Sequence, residues 1–205
     1  MEKNRLKFLV MATLLEAQPF IEGLSLKREL EERIPVYRND NYVLAISGIG
    51  KTNSAIACAY LCLKFSPSCI LNLGAAGATD TKLSLGMIFH IVKAIEYDRP
   101  RFKSKIPHTY TPDVIEGFSC ARIVTLDRPV LAASERQKLS LVADLVDMES
   151  SSVIQACKTF KTRCYLFKYV TDTPDHDKDN DIVKNIQIYR DSFFNFFLEF
   201  VTPLF

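Results

Sequence analysis

The sequence predicts an α/β protein, a sheet with helices on its faces, and three observations carry that expectation. Short apolar runs alternate with segments of helical spacing along the whole chain. Several of those runs are apolar at nearly every position, the pattern of strands covered on both faces. Finally, 205 residues with 48% hydrophobic content can bury one sizeable core, and no Pro/Gly/Ser-rich linker, internal repeat or low-complexity stretch divides it. A single domain over residues 1–205 is expected.

The first strand is read from Leu6 to Ala12. Lys3, Arg5 and Lys7 before FLVMATLL imitate a secretory signal, but Glu16 interrupts the apolar run and no A-x-A-like cleavage site follows, so a buried strand is the better reading. Tyr42 to Ile46 (YVLAI) is the second strand, and Asn53 to Phe65 reads as a helix. Between them stands SGIGKT, which ends like a phosphate-binding loop. The full pattern G-x-x-x-x-G-K-[ST] would require a glycine at position 45, where the chain has Ala45, so ATP is set aside. Cys69 to Leu73 is a third strand, followed by GAAGA as a tight turn, and Met87 to Ile95 a fourth. Ala121 to Leu126 is a fifth, Met148 to Phe160 a helix, Tyr165 to Val170 a further strand, and Asp181 to Phe200 a last helix containing FFNFF. RFKSKIPHTYTPDVIEGFS lacks apolar periodicity and reads as a long loop.

Bulk properties exclude several classes of function. A net charge of +2 with mixed signs argues against a nucleic-acid partner, which normally takes a clustered basic face. The six cysteines are scattered without a C-x-x-C, and His90, His108 and His176 are dispersed, so no metal site is expected. The cysteines read as core residues of a reducing compartment. No run approaches the ~20 apolar residues of a membrane span, and a cytoplasmic protein without membrane contact is expected.

In open α/β sheets ligands gather where strands end, which directs attention to Glu16, to GAAGA, to Asp147 and Glu149 in DMES, and to Asp172 in TDTPD. Each has a structural explanation of its own. Acidic residues at a helix start complement the macrodipole, the aspartates from Asp172 to Asp181 suit a solvated loop and a cap, and Gly74 and Gly77 serve a tight turn. It is the joint order of these pieces that points to a site.

That order resembles a known family. ATLLEA, SGIGKTNSAIA, LNLGAAGA, DMESSSVIQAC and KYVTDTPD follow one another as in the purine nucleosidases that include 5'-methylthioadenosine/S-adenosylhomocysteine nucleosidase and futalosine hydrolase. The resemblance implies the three-layer nucleoside phosphorylase/nucleosidase fold with a central mixed sheet, a small purine nucleoside as substrate, no cofactor, and a homodimer. It also implies roles. Asp172 corresponds to the acid that protonates the purine, Glu16 to the base that activates water, and Glu149 with Met148 to the residues holding the ribose. Asp172 has then to be held protonated or share its proton with the base, which partial burial achieves. Gly74, Ala75 and Gly77 would let the backbone approach the nucleoside, with Thr171 beside the acid.

The sequence departs from the methylthioadenosine enzymes at three positions. Ala75 and Thr171 each replace a serine, and Lys168 replaces an arginine. Together with the opening ATLLEA this favours a futalosine-type substrate, with methylthioadenosine or adenosylhomocysteine as the alternative. A phosphate-dependent phosphorylase and a non-catalytic nucleoside-binding protein are further alternatives. The phosphorylases carry a G-D-P-x-R-type turn after the first strand that this chain lacks, leaving Arg99, Arg101 or Arg122 as the candidates for anion binding. Arg101, Lys103 and Lys105 in the loop would suit a carboxylate on the 5'-substituent, and His176 stands near Asp172.

Overall fold

The computed structural model describes residues 6–100, 106–176 and 178–205. The strands are β1 Lys7–Met11, β2 Lys27–Glu29, β3 Val36–Arg38, β4 Tyr42–Ile46, β5 Cys69–Ala78, β6 Ile88–Glu96, β7 His108–Tyr110, β8 Cys120–Thr125, β9 Leu145–Asp147 and β10 Arg163–Asp172. The helices are α1 Leu14–Gly23, α2 Lys51–Phe65, α3 Ala133–Ser140, α4 Ser150–Thr159 and α5 Asp179–Phe196, the last running into a wider turn over Phe197–Val201. All ten strands join one mixed sheet. β1, β4, β5 and β10 run parallel at its centre, and β2–β3 form an antiparallel arm beyond β4. At the other end the sheet closes on itself, because β10 pairs with both β5 and β6, β6 with β8, β8 with β9, and β9 with β5.

The unbroken apolar runs are explained by which face each residue covers. In β1, Phe8 and Val10 enter one core with Cys58 and Leu61 of α2 and Val153 and Ile154 of α4. Leu9 and Met11 enter the opposite core with Phe20 of α1 and Phe193 of α5. Alternate side chains of a strand point to opposite faces, so a strand between two helical layers needs an apolar residue at every step. FFNFF serves the second core. Phe193 and Phe197 are fully buried, and the Phe20 ring meets those of Phe193, Phe194 and Phe197 at centroid distances of 6.0, 5.0 and 5.2 Å.

Two sequence expectations are corrected. GAAGA is not a turn after the third strand; it is the second half of β5, held by β10 along its length and by β9 at Gly77 and Ala78. Its small side chains make room for the site and do not break the strand. The segment read as a long loop contains β7, whose His108–Tyr110 pairs with Ala94–Glu96 of β6. Arg101, Lys103 and Lys105 lie outside the described residues.

Candidate active site

One cavity collects the carboxyl ends of β1, β5, β9 and β10, and Glu16, Ala75, Gly77, Met148, Glu149, Thr171 and Asp172 all line it. Gly74 does not line it; it stands behind Glu16, where a Cβ would come 2.7 Å from Oε1.

Glu16 owes its position to a local signal. Thr13 and Glu16 form a capping box at the start of α1, in which the Thr13 hydroxyl accepts from the Glu16 amide at 3.3 Å and donates to Glu16 Oε2 at 2.6 Å. The Thr13 amide donates to the same oxygen at 3.0 Å. Oε1 accepts from the Ala75 amide at 2.8 Å, so both oxygens are oriented while the carboxylate keeps lone pairs for the cavity. The pattern T-x-x-E was present in the sequence and identifies the helix start as well as the fixed carboxylate.

Glu149 answers the question raised by SGIGKT. The amide of Gly50, at the mouth of α2, donates to Glu149 Oε1 at 2.8 Å. Gly50 has φ +100°, a conformation that L side chains rarely adopt. The loop therefore presents its helix N-terminus to a carboxylate of this protein. Lys51, the residue that would reach for a phosphate in a P-loop, points elsewhere, with its ammonium 3.2 Å from Glu96, 2.5 Å from Asp98 and 3.5 Å from Asp127.

Asp147 does stand at a helix start, accepting from the first residue of α4, and is also the buried end of β9. It accepts from the Ser150 amide at 2.9 Å and the Thr125 hydroxyl at 2.9 Å, and pairs with the Lys168 ammonium at 3.1 Å. Burial works against the charge of Lys168, but Asp147 and then Glu149 outweigh it and raise its pKa. Glu149 is pushed up to about 7, chiefly by burial and next by the Asp147 charge, against the opposing pull of Lys168 and the Gly50 amide.

Asp172 sits at a bulge. β10 stays in register with β5 to Val170 opposite Ala76, then Asp172 falls opposite Gly77 with Thr171 as the extra residue. Bulges re-aim side chains beside active sites, and here the Thr171 hydroxyl donates to Asp172 Oδ1 at 2.8 Å. Oδ2 accepts from Arg136, a residue of α3 that is 1% exposed. Partial burial was expected to let Asp172 hold or share a proton; Asp172 is buried, and a cation shares its pocket as well. Sequence reading missed Arg136 because it lies in a short polar helix with no apolar pattern to mark an inward side chain.

The other candidates fall away from the cavity. Arg99 pairs with Glu96 and Arg122 with Asp144, and neither lines it. His176 holds the turn after β10, its Nδ1 accepting from the Thr173 amide at 3.2 Å. His90 is fully buried, bonded to the Leu166 carbonyl at 2.9 Å and accepting from the Ile115 amide at 3.1 Å, and burial lowers its pKa. Among the described residues no group of three or more His, Cys, Asp or Glu side chains is arranged to hold a metal ion, and no helix is long and apolar enough to cross a membrane.

Known proteins are similar to this chain in sequence or fold. The 5'-methylthioadenosine/S-adenosylhomocysteine nucleosidase of Staphylococcus epidermidis (strain ATCC 12228 / FDA PCI 1200) is 30% identical over 154 residues, 63% of this chain and 68% of the relative. The aminodeoxyfutalosine nucleosidase of Campylobacter jejuni is 25% identical over 159 residues, 66% of this chain and 69% of the relative. A solved mutant of the Helicobacter pylori 5'-methylthioadenosine/S-adenosylhomocysteine nucleosidase, with 5'-methylthioadenosine in its active site, has the same fold, with a TM-score of 0.85 at 15% identity over 97% of this chain and 99% of that one. Futalosine hydrolase of Helicobacter pylori strain 26695 has a TM-score of 0.79 at 17% identity, over 95% and 97%. The sequence model of the Phosphorylase superfamily matches residues 9–202, and the chain belongs to that superfamily.

Proposed function

We propose that this chain is an N-ribosyl hydrolase that cleaves 5'-substituted adenosines, with 5'-methylthioadenosine and S-adenosylhomocysteine as its leading substrates. The observation that carries the reading is the convergence of Glu16, Glu149 and Asp172 on one cavity from three separate stretches of chain. The choice of substrate differs from the futalosine preference drawn from Ala75, Thr171 and ATLLEA. The relatives favour the methylthioadenosine reading, since the 30% identical one carries that name. The Campylobacter jejuni relative keeps aminodeoxyfutalosine as the second reading.

Cleavage of the ribosidic bond leaves electrons on the purine and positive charge on the sugar. Asp172 gives its proton to the ring nitrogen of the departing base. Glu16, fixed by Thr13 and Ala75, takes a proton from the water that attacks the anomeric carbon. Glu149 accepts from the ribose hydroxyls, and its charge favours the cationic sugar. Water is supported over phosphate as the attacking group by the cations at the cavity. Arg128 is engaged by Glu135, and Arg136 by Asp172.

A homodimer is part of the same reading. Ile56 and Leu63 stand seven residues apart on one side of α2 and are 56 and 73% exposed. Such a stripe suits a second copy of the chain.

The test is incubation without phosphate against 5'-methylthioadenosine, S-adenosylhomocysteine, aminodeoxyfutalosine, futalosine and inosine, with the released base followed by chromatography. Adenine from the first two is the expected result. Turnover that appears only after phosphate is added would overturn the hydrolytic reading, and silence in both conditions would favour a binding protein.

A further inference from the structure

The mechanism just proposed leaves one buried ion pair without a task. Arg136 spends its guanidinium on three partners: Nε donates to the Val130 carbonyl at 2.8 Å, Nη1 to the Ala78 carbonyl at 2.6 Å, and Nη2 to Asp172 Oδ2. Its side chain is 1% exposed and that of Asp172 6% exposed. An arginine on a surface helix gains nothing in stability by crossing into the interior only to neutralise a carboxylate, because desolvating both charges offsets most of their attraction. The backbone also makes room for the pair. A Cβ on Gly77 would fall 2.5 Å from Asp172 Oδ2 and 2.7 Å from Arg136 Nη1, so the glycine is the opening through which the guanidinium reaches the acid.

We infer that Arg136 is a positioning residue for Asp172, fixing the carboxyl plane from behind and stabilising the carboxylate that remains once the proton has passed to the purine. The inference rests on Asp172 being the acid. With Thr171 on Oδ1 and Arg136 on Oδ2, the carboxyl cannot rotate, and its remaining lone pairs are directed at the cavity. In the step itself the proton that Asp172 shares with the ring nitrogen of the bound purine passes to that nitrogen, the bonding pair of the ribosidic bond goes to the purine, and the sugar cation is captured by water, whose proton goes to Glu16. Arg136 keeps all its protons throughout, since a guanidinium does not deprotonate in proteins. Its contribution is charge and geometry, both in place before the substrate arrives. The two carbonyl bonds matter as much as the ion pair, because they prevent the cation from following the purine into the cavity.

The experiment compares Arg136→Met, Arg136→Lys and Asp172→Asn with the parent enzyme in kcat and KM. Folding is checked by circular dichroism. Arg136→Met is expected to lower kcat about tenfold to a hundredfold with KM little changed. Arg136→Lys, which keeps the charge without the fork, is expected to recover only part of that kcat, again with KM little changed. Should Asp172→Asn be inactive while Arg136→Met keeps the parent's kcat, the inference is overturned and the acid assignment stands. An active Asp172→Asn overturns both. If Arg136→Met does not fold, the lysine variant decides, because unchanged kcat there removes the geometric role.

Discussion

Glu149 lies under the N-terminus of α2 with its carboxyl pushed up to about 7, so its charge changes within the range in which nucleosidases are assayed. A carboxylate accepts from two ribose hydroxyls where the protonated acid competes as a donor, so kcat/KM is expected to rise with pH through about 7. Glu149→Gln should flatten that rise and raise KM; a rise that persists in the variant would mean another group titrates. The sign for stability is the opposite. Between the ordinary 4.5 and about 7 the folded chain retains a proton that the unfolded chain has lost, so this residue's contribution is present below that window and lost as pH rises through it. Urea midpoints of parent and Glu149→Gln across the window test this. Gly77 offers a second residue-scale prediction. Alanine there drives a methyl into both Asp172 and Arg136, and overpacking of this kind costs about 1–3 kcal/mol. Turnover should fall further than the urea midpoint suggests, because the atoms displaced are those of the proposed acid.

At the scale of elements, α1 shows how one local signal serves both fold and site. Thr13→Ala removes the cap and is expected to cost about 1 kcal/mol in thermal or urea unfolding. It also takes the hydroxyl, one of its two donors, away from Glu16 Oε2, so kcat should drop as well. A loss of stability with unchanged kcat would show that the backbone amides of Thr13 and Ala75 suffice to orient Glu16. The longer strands and α2, α4 and α5 were legible because their apolar spacing records which faces they bury. β5 was legible only to Leu73, since GAAGA has the composition of a turn and becomes strand through pairing with β10 and β9. The three-residue strands β2, β3, β7 and β9 were not legible at all. Their extended form is imposed by neighbours in the sheet, a tertiary effect that a short window of sequence does not carry. α3 was missed for a related reason, because its inward residues are Leu139 and the charged Arg136.

For the whole molecule, the exposed Ile56 and Leu63 along α2 are the feature to test. Ile56→Glu should shift the sedimentation coefficient from dimer toward monomer. A parent protein that sediments as a monomer would end the dimer reading. The candidate carboxylates were legible from their order along the chain, whereas their partners were not. Glu16 meets Ala75, Glu149 meets Gly50 and Asp172 meets Arg136 across long stretches of sequence, and only the folded sheet states those pairs. The closed circuit of β5, β10, β6, β8 and β9 has a consequence for how the molecule comes apart. An open sheet unravels from its edges, but a circuit has none, and its amides exchange with solvent only when the structure opens as a whole. Asp172 and its backing strands are part of that circuit, while β2 and β3 hang on the far end. The arm can therefore fray and re-form many times without Asp172 losing its place.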